Sequence, residues 1–359
     1  MSRTAAFSVL EEATLSNRND AATTIYTYIL NVGNKPMQLD TKEVKYPNFF
    51  IIGMPRSGTK LLRELLNNHS EIFIPEVETL FIPKLLKKFG GLILTKKNIR
   101  SAIIEIKKSL FFMNYTKKNT FDLKKLNTNN INIVNLINTF YVELAVQKNI
   151  APKIIGDKSP NYINNIPLIS SYFPESKFIH IVRDPRDYAL SVKKTWNKSL
   201  LRSIFKWSKG INAFQKAFLE NKENMVEIRY EDLIENPRSE IIKCIKLLDL
   251  KYEEGMDQLF YSNEKLGDAK TTKIDFKNKQ KYSSAMSTNE IKKIENYTIE
   301  FLKTYGYPYS TKRKKNKKTP AVQNVILKIH DAKSLIFFKV KENGFFSGVK
   351  KVLKAHKAH

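Results

Sequence analysis

Between residues 49 and 228 the chain carries four short apolar runs, and each one ends in polar and charged residues. Phe49 to Ile52 ends at Gly53, followed by a Gly-containing loop and then Leu61, Leu62, Leu65 and Leu66 at helical spacing, which predicts strand, loop and helix. Ile154 to Ile155 runs into Gly156-Asp157-Lys158-Ser159-Pro160, and Phe178 to Val182 into Arg183-Asp184-Pro185-Arg186-Asp187 and a helical stretch through Trp196. Met225 to Ile228 runs into Arg229-Tyr230-Glu231-Asp232-Leu233. Near-continuous apolar strands separated by helical segments predict a parallel sheet covered on both faces, an α/β fold of three layers. Ligands of such sheets sit at the carboxyl ends of the strands, so the four clusters should converge on one crevice. Residues 85 to 150 and 197 to 222 read as Lys- and Asn-rich helical connections, and residues 287 to 305 as a closing amphipathic helix that ends near Gly306.

Three segments follow from this pattern. Residues 1–45 are polar with a helix-like patch at 21 to 31 and read as an N-terminal helical extension; residues 46–310 form the main domain; residues 311–359 form a basic tail. With 359 residues, 42% of them hydrophobic, the chain can bury a core, which excludes disorder throughout. Charge is the outlier: 62 Lys and Arg stand against 35 Asp and Glu, a net +27, which points to anionic partners. Residues 312 to 359 alone hold fourteen basic residues against Asp331 and Glu342. In that tail Val322, Val325, Ile326 and Ile329 fall on one helical face, so it reads equally as a segment lying on an anionic membrane surface and as a helix packed on its own domain. The single cysteine, Cys244, excludes a disulfide scaffold and a cysteine-cluster metal site. The first twenty residues lack the apolar centre of a signal peptide, and no run of eighteen apolar residues appears, so the expected location is cytoplasmic, with the inner face of a membrane as the place for a bound tail.

The sharpest chemical signal is Gly53-Met54-Pro55-Arg56-Ser57-Gly58-Thr59-Lys60. Between a strand and a helix, such a loop turns successive N–H groups and the positive helix end toward one point, which suits a phosphate. The nucleoside triphosphatase loop has G-x-x-x-x-G-K-[ST]; here the last two types are exchanged, so Thr59 stands in the Lys position and no hydroxyl follows Lys60. Taken alone, the string also fits an ordinary turn. Arg183-Asp184-Pro185-Arg186-Asp187 taken alone fits a salt-bridged helix start with Pro at its first position.

Together, however, Pro55 to Thr59 after the first strand and Arg183 with Ser191 eight residues beyond it resemble the sulfotransferase family, whose donor is 3′-phosphoadenosine 5′-phosphosulfate (PAPS) and whose nucleotide product is adenosine 3′,5′-bisphosphate (PAP). The likeness extends over residues 47 to 307. Asn67 to Ser70 and Pro75 to Phe81 resemble the segment that carries the acidic catalytic residue in bacterial, glycan and protein-tyrosine sulfotransferases, and Gly156 to Pro160 resembles their Lys-containing loop. The resemblance implies that Arg56, Ser57, Gly58, Thr59 and Lys60 hold the 5′ end of the donor and that Arg183 and Ser191 hold its 3′-phosphate, with Lys279 and Lys281 as further contacts from the closing loop. It implies a three-layer P-loop-like fold; no metal is required where fixed cations are in place, and no helix-turn-helix, zinc-finger or aromatic RNA-binding string points to a specific nucleic-acid partner. Two departures stand out: Lys60 replaces a usual second hydroxyl, and the His base of the cytosolic small-molecule branch has no counterpart.

Sulfuryl transfer needs in-line geometry, a base for the acceptor proton and positive charge on the leaving oxygen. Under that reading Glu78 is the base, with Glu76 second in line, and Arg56 and Lys158 supply the charge. Each has a plainer reading, Glu78 as a first-turn helix acid and Lys158 as a solvated strand-end lysine. Asp157 reads as a structural acceptor, His69 and His180 as structural, and Trp196 and Trp207 as helix packing. A P-loop kinase or triphosphatase accounts only for the first loop, and a membrane- or nucleic-acid-binding protein only for the charge. The acceptor is a hydroxyl of a glycan, lipid-linked glycan, peptide tyrosine or small alcohol, and the sequence does not choose among them.

Overall fold

A computed structural model describes residues 46–109, 132–146, 152–260 and 273–316. The expected N-terminal extension and nearly all of the basic tail lie outside these residues. With no polar residue at 49–52, β1 (Phe49–Gly53) is buried along its whole length and takes the centre of a five-stranded sheet. β3 (Ile154–Lys158) pairs on one side of it and β4 (Lys177–Val182) on the other, while β2 (Ile72–Phe73) and β5 (Met225–Arg229) form the edges, all pairs being parallel. The chain therefore leaves β1 toward one edge and later returns to build the other half, which makes the carboxyl end of β1 a switch point where loops part and leave a crevice.

Alternation along the strands feeds two cores. Phe50, Ile52, Phe178 and Val182 enter one, against α2 (Ile82–Phe89), α3 (Lys96–Lys108), α4 (Ile133–Val146), α5 (Ile166–Tyr172), α6 (Pro185–Trp196), α7 (Leu200–Glu220) and α11 (Thr288–Thr304). Phe49, Ile51, Ile179 and Ile181 enter the other, against α1 (Thr59–Leu66), α8 (Tyr230–Glu235) and α9 (Pro237–Leu247). The three-layer α/β arrangement expected from the sequence is thus the one observed. A short helix, α10 (Tyr282–Ala285), joins α6 in a third, smaller cluster. Cys244 is fully buried on α9, and burial pushes its thiol well above the ordinary range.

Two differences from the sequence reading have simple causes. β3 continues through Gly156-Asp157-Lys158 instead of stopping at Ile155, because these residues pair in register with Phe49, Phe50 and Ile51. The ladder carries a charged pair that an apolar pattern alone would leave to a loop. β2 is too short, at two residues, to show a period.

The segment Arg183 to Asp187 does build a salt-bridged helix start. Asp184 caps α6 by accepting from the Arg186 N–H at 2.8 Å, with Pro185 at the first helical position. Arg186 is fully buried and forks onto both Asp184 oxygens at 3.0 and 2.7 Å while donating to Glu295 at 2.8 Å. Glu295, on α11, accepts in addition from the backbone N–H groups of Ser310 and Thr311 and from the Ser310 hydroxyl. Burying these charges costs several kcal/mol per ion and is tolerable because every partner is in place.

The aromatic centre of the first core sets a stability expectation. Phe50 is fully buried, stacked on Phe178 at 5.3 Å with Tyr162 and Phe173 edge-on at 6.1 and 6.3 Å. Phe50→Ala should lower unfolding stability by about 3–5 kcal/mol, measured by denaturant titration.

Candidate active site

The loop from β1 to α1 is a tight turn in which Ser57 N–H donates to the Met54 carbonyl at 3.0 Å. Arg56 has φ +81° and Gly58 φ +97°. Left-handed backbone at the non-glycine Arg56 costs on the order of 1–2 kcal/mol. Two contacts hold it: Arg56 Nε donates to Ser191 Oγ at 3.3 Å, and the Arg56 carbonyl accepts from Arg183 Nη1 at 3.2 Å. At Gly58 the absent side chain matters as much as the angle, since a Cβ there would stand 2.3 Å from Tyr230 Cδ2. The Tyr230 ring thus lies directly against the turn, and its hydroxyl accepts from Asn278 Nδ2 at 2.9 Å.

Arg183 leaves the carboxyl end of β4 and turns over the same ring, its guanidinium carbon 4.3 Å from the ring centre, a cation–π contact strengthened by burial. Its Nη2 donates to the Asn278 carbonyl at 3.0 Å, whereas its buried Nε has no hydrogen-bond partner. Ser57 Oγ is likewise buried and unpaired. Polar atoms so placed are uncommon in a settled interior.

On the far side of β1, Lys158 Nζ donates to Glu78 Oε1 at 2.8 Å; the lysine is 7% exposed and the glutamate 33%. Glu78 therefore stands in an irregular loop across from β3 and is no first-turn helix acid. Glu76 faces away, exposed, with its carbonyl taking a hydrogen bond from Arg63. Asp157, beside Lys158, is buried, and that burial pushes its carboxyl above the ordinary range against hydrogen bonds from Ser159, Thr79 and Tyr141 that pull it down. It acts as the structural acceptor expected of it.

These pieces line one cavity of about 290 Å³, at the lower limit of the ~300–1,000 Å³ usual for ligand pockets. Arg56, Gly58, Thr59, Lys60, Glu78, Lys158 and Arg183 all face it. Ser57 and Ser191 do not line the cavity: Ser57 is buried within the turn, and Ser191 meets Arg56 from behind. Five cations, Arg56, Lys60, Lys158, Arg183 and Lys273, share the walls with three carboxylates, Glu64, Glu78 and Asp275. Lys279, expected near the donor, is instead ion-paired with Glu235. His69 and His180 are buried structural residues, the latter against Glu227 at 2.7 Å and stacked on Phe214. Trp207 packs in the core as expected, and Trp196, half-buried, packs against the same core and also lines the cavity.

Sequence reasoning did not single out Tyr230 and Asn278 as wall residues. Tyr230 follows a strand end, the same cue that pointed to Arg183; Asn278 sits in a loop with no local signal.

A crevice of this kind, a glycine turn and two strand-end cations at the switch point of a parallel sheet, defines an α/β protein with a P-loop-like turn at the mouth of a cationic cavity. The model of the sulfotransferase family matches residues 47–254. The chain belongs to the sulfotransferase family. It is 26% identical over 223 residues to protein-tyrosine sulfotransferase A of Caenorhabditis elegans, covering 58% of this chain and 51% of that protein. Protein-tyrosine sulfotransferase 1 of Danio rerio is 24% identical over 230 residues, 62% of this chain and 58% of the relative. The match therefore spans little more than half the length of these two relatives. Among solved structures, the sulfotransferase domain of the Synechococcus PCC 7002 olefin synthase shares the fold with a TM-score of 0.51 at 19% identity, over 77% of this chain and all of that one.

The Gly58 contact yields a direct test. Gly58→Ala drives a methyl group into the Tyr230 ring at a backbone angle that alanine disfavours, and should destabilise the fold by about 1–3 kcal/mol in thermal or denaturant unfolding.

Proposed function

We propose that the chain transfers a sulfuryl group from PAPS to an acceptor hydroxyl by in-line displacement, with Glu78 as general base and no metal. The observation that carries this reading is the bond from Arg183 to the Arg56 carbonyl, which ties the two cationic strand ends to the wall of a cavity that also receives Glu78 and Lys158. The residues fit the donor: the Gly58 cradle brings backbone close, and Arg183, which lines the cavity, has a buried Nε with no hydrogen-bond partner.

In this reading Arg56 to Lys60 and the N-terminus of α1 hold the 5′ end, and Arg183 holds the 3′-phosphate. Ser191 contributes by fixing the Arg56 side chain as well as by any contact of its own. When bound, the donor supplies the sulfuryl group and departs as PAP. Arg56 and Lys158 place fixed positive charge where the leaving oxygen develops negative charge, each such donor being worth roughly 3 kcal/mol of barrier in a water-poor site. Glu78 takes the acceptor proton at its carboxylate, a contribution on the order of a hundredfold or more. In the present geometry the Lys158 ammonium sits on that carboxylate, so lysine and glutamate start as a neutralised pair and separate as each meets its own target.

The acceptor carries a hydroxyl, and the names of the relatives make the tyrosine of a peptide the first to test, ahead of glycans, lipid-linked glycans and small alcohols. Among the described residues no helix is long and apolar enough to cross a membrane. Association of the basic tail with an anionic membrane surface is part of the proposal and rests on composition alone.

Two substitutions test the assignment. Glu78→Gln should abolish transfer of labelled sulfate from PAPS while the calorimetric affinity for PAP stays near wild type; undiminished turnover would remove Glu78 from the chemistry. Arg183→Ala should weaken PAPS by on the order of tenfold more than it weakens adenosine 5′-phosphosulfate, because a charge-assisted contact is worth about 1.5–3 kcal/mol. Equal losses on the two nucleotides would contradict the 3′-phosphate role.

A further inference from the structure

Beneath the Glu78 loop lies a cluster of hydroxyls and one carboxylate that the chemistry above does not use. Thr79, Tyr141, Asp157, Ser159 and Tyr162 are each no more than 2% exposed. Asp157 sits on β3, immediately before Lys158; Thr79 immediately follows Glu78. Thr79 Oγ1 donates to Asp157 Oδ2, and the Tyr141 hydroxyl, from α4, donates to the same oxygen. Thr79 Oγ1 also lies 2.8 Å from the Tyr162 hydroxyl, which accepts from the Ile82 N–H at 3.1 Å, and the Thr79 N–H donates to Ser159 Oγ at 3.2 Å.

Donor and acceptor accounting makes this network directional. A threonine hydroxyl has one proton, and Thr79 commits it to the carboxylate. Tyr162 must therefore donate to Thr79 Oγ1, which agrees with its accepting from Ile82. The protons of Thr79 and Tyr141 end on Asp157 itself, and that of Tyr162 reaches it through Thr79. The arrangement has one sense only, and it fixes both backbone neighbours of the reacting pair: Thr79 beside Glu78, and Asp157 beside Lys158.

A second observation comes from the backbone. Leu80, next to Thr79, has φ +56°, a left-handed conformation that a leucine rarely adopts. Strain of that kind persists where the surroundings over-determine it. Thr79 on one side and the buried Phe81 on the other supply that determination. A loop needed only to cover the core could be held by apolar residues of similar size at lower desolvation cost.

We propose that the Thr79–Asp157–Tyr141–Tyr162 cluster is a positioning device that fixes the backbone from which Glu78 and Lys158 reach the cavity, so that Thr79 and Asp157 are positioning residues for the transfer step. The proposal rests on the reading of Glu78 as the base. Without the Thr79 hydroxyl, the loop keeps its apolar anchor at Phe81 but loses the tie that sets where residue 78 points. A misplacement of about 1 Å at a reacting group can cost on the order of a hundredfold in rate.

The experiment uses the full chain, PAPS with a tyrosine-containing peptide, and calorimetry with PAP. Thr79→Val, close to isosteric, should lower kcat by about ten- to a hundredfold while the PAP Kd stays within about twofold of wild type; Thr79→Ser, which restores the hydroxyl, should recover kcat to within about threefold. Tyr141→Phe, which removes one donor to Asp157 and leaves Thr79 in place, should give a smaller fall in kcat with the PAP Kd again unchanged. A wild-type kcat in Thr79→Val would overturn the proposal. So would a parallel loss of kcat and PAP affinity, which signals general damage, or a failure of Thr79→Ser to recover the rate. Glu78→Gln run alongside separates the two levels: a slow Glu78→Gln with a fast Thr79→Val sinks only the positioning role, whereas a fast Glu78→Gln sinks the base assignment itself.

Discussion

The crevice depends on one close approach, that of the Tyr230 ring to the bare Cα of Gly58. With a side chain at 58 the ring would be displaced, and with it the surface on which the Arg183 guanidinium rests. Arg183 in turn donates to the Arg56 carbonyl and steadies a residue whose backbone is left-handed. Three strand ends, those of β1, β4 and β5, are locked together in this way by a glycine, an aromatic ring and an arginine. Each contact is short-range and stereospecific, which explains why an apolar sheet of ordinary construction ends in a rigid polar mouth.

Charge is divided in two at the carboxyl end of β4. Arg183 turns into the cavity, where one of its nitrogens stays unpaired, while Arg186, three residues on, is saturated by Asp184 and Glu295 in the interior. The plain reading of this segment as a helix start holds for Asp184, Pro185 and Arg186, while Arg183, the residue read as an anion contact, is the one that lines the cavity. The buried cluster holds the helix in place, and the arginine before it reaches the cavity.

The sheet was legible because short apolar runs of two to five residues ending in polar clusters leave few alternatives, and the convergence of Arg56, Lys158 and Arg183 follows from topology once the strands are assigned. Glu78 required the family resemblance, since a carboxylate in an irregular loop has no period to betray it. Trp196 packs on the first core as its helical spacing suggests, but that spacing does not show that the helix end also projects to the cavity. Ser191 and Ser57 were identified by motif, but their hydroxyls turn inward, one to Arg56 and the other to no partner. Asn278 and the Thr79 network depend on contacts across 48 and 78 to 83 residues of chain, and no local pattern encodes those.

The latch at Glu295 sets a boundary for anyone shortening the chain. Its carboxylate collects Arg186, Ser310 and Thr311, so a fragment ending before residue 310 would keep the buried ion pair with Arg186 but discard the hydrogen bonds that Ser310 and Thr311 give its other oxygen. Because Arg186 is shared with the cap of the helix that carries Ser191, such trimming would loosen the floor of the crevice from a distance. A minimal fragment of this protein has to extend past Thr311, even though among the described residues nothing that lines the cavity lies beyond Asn278.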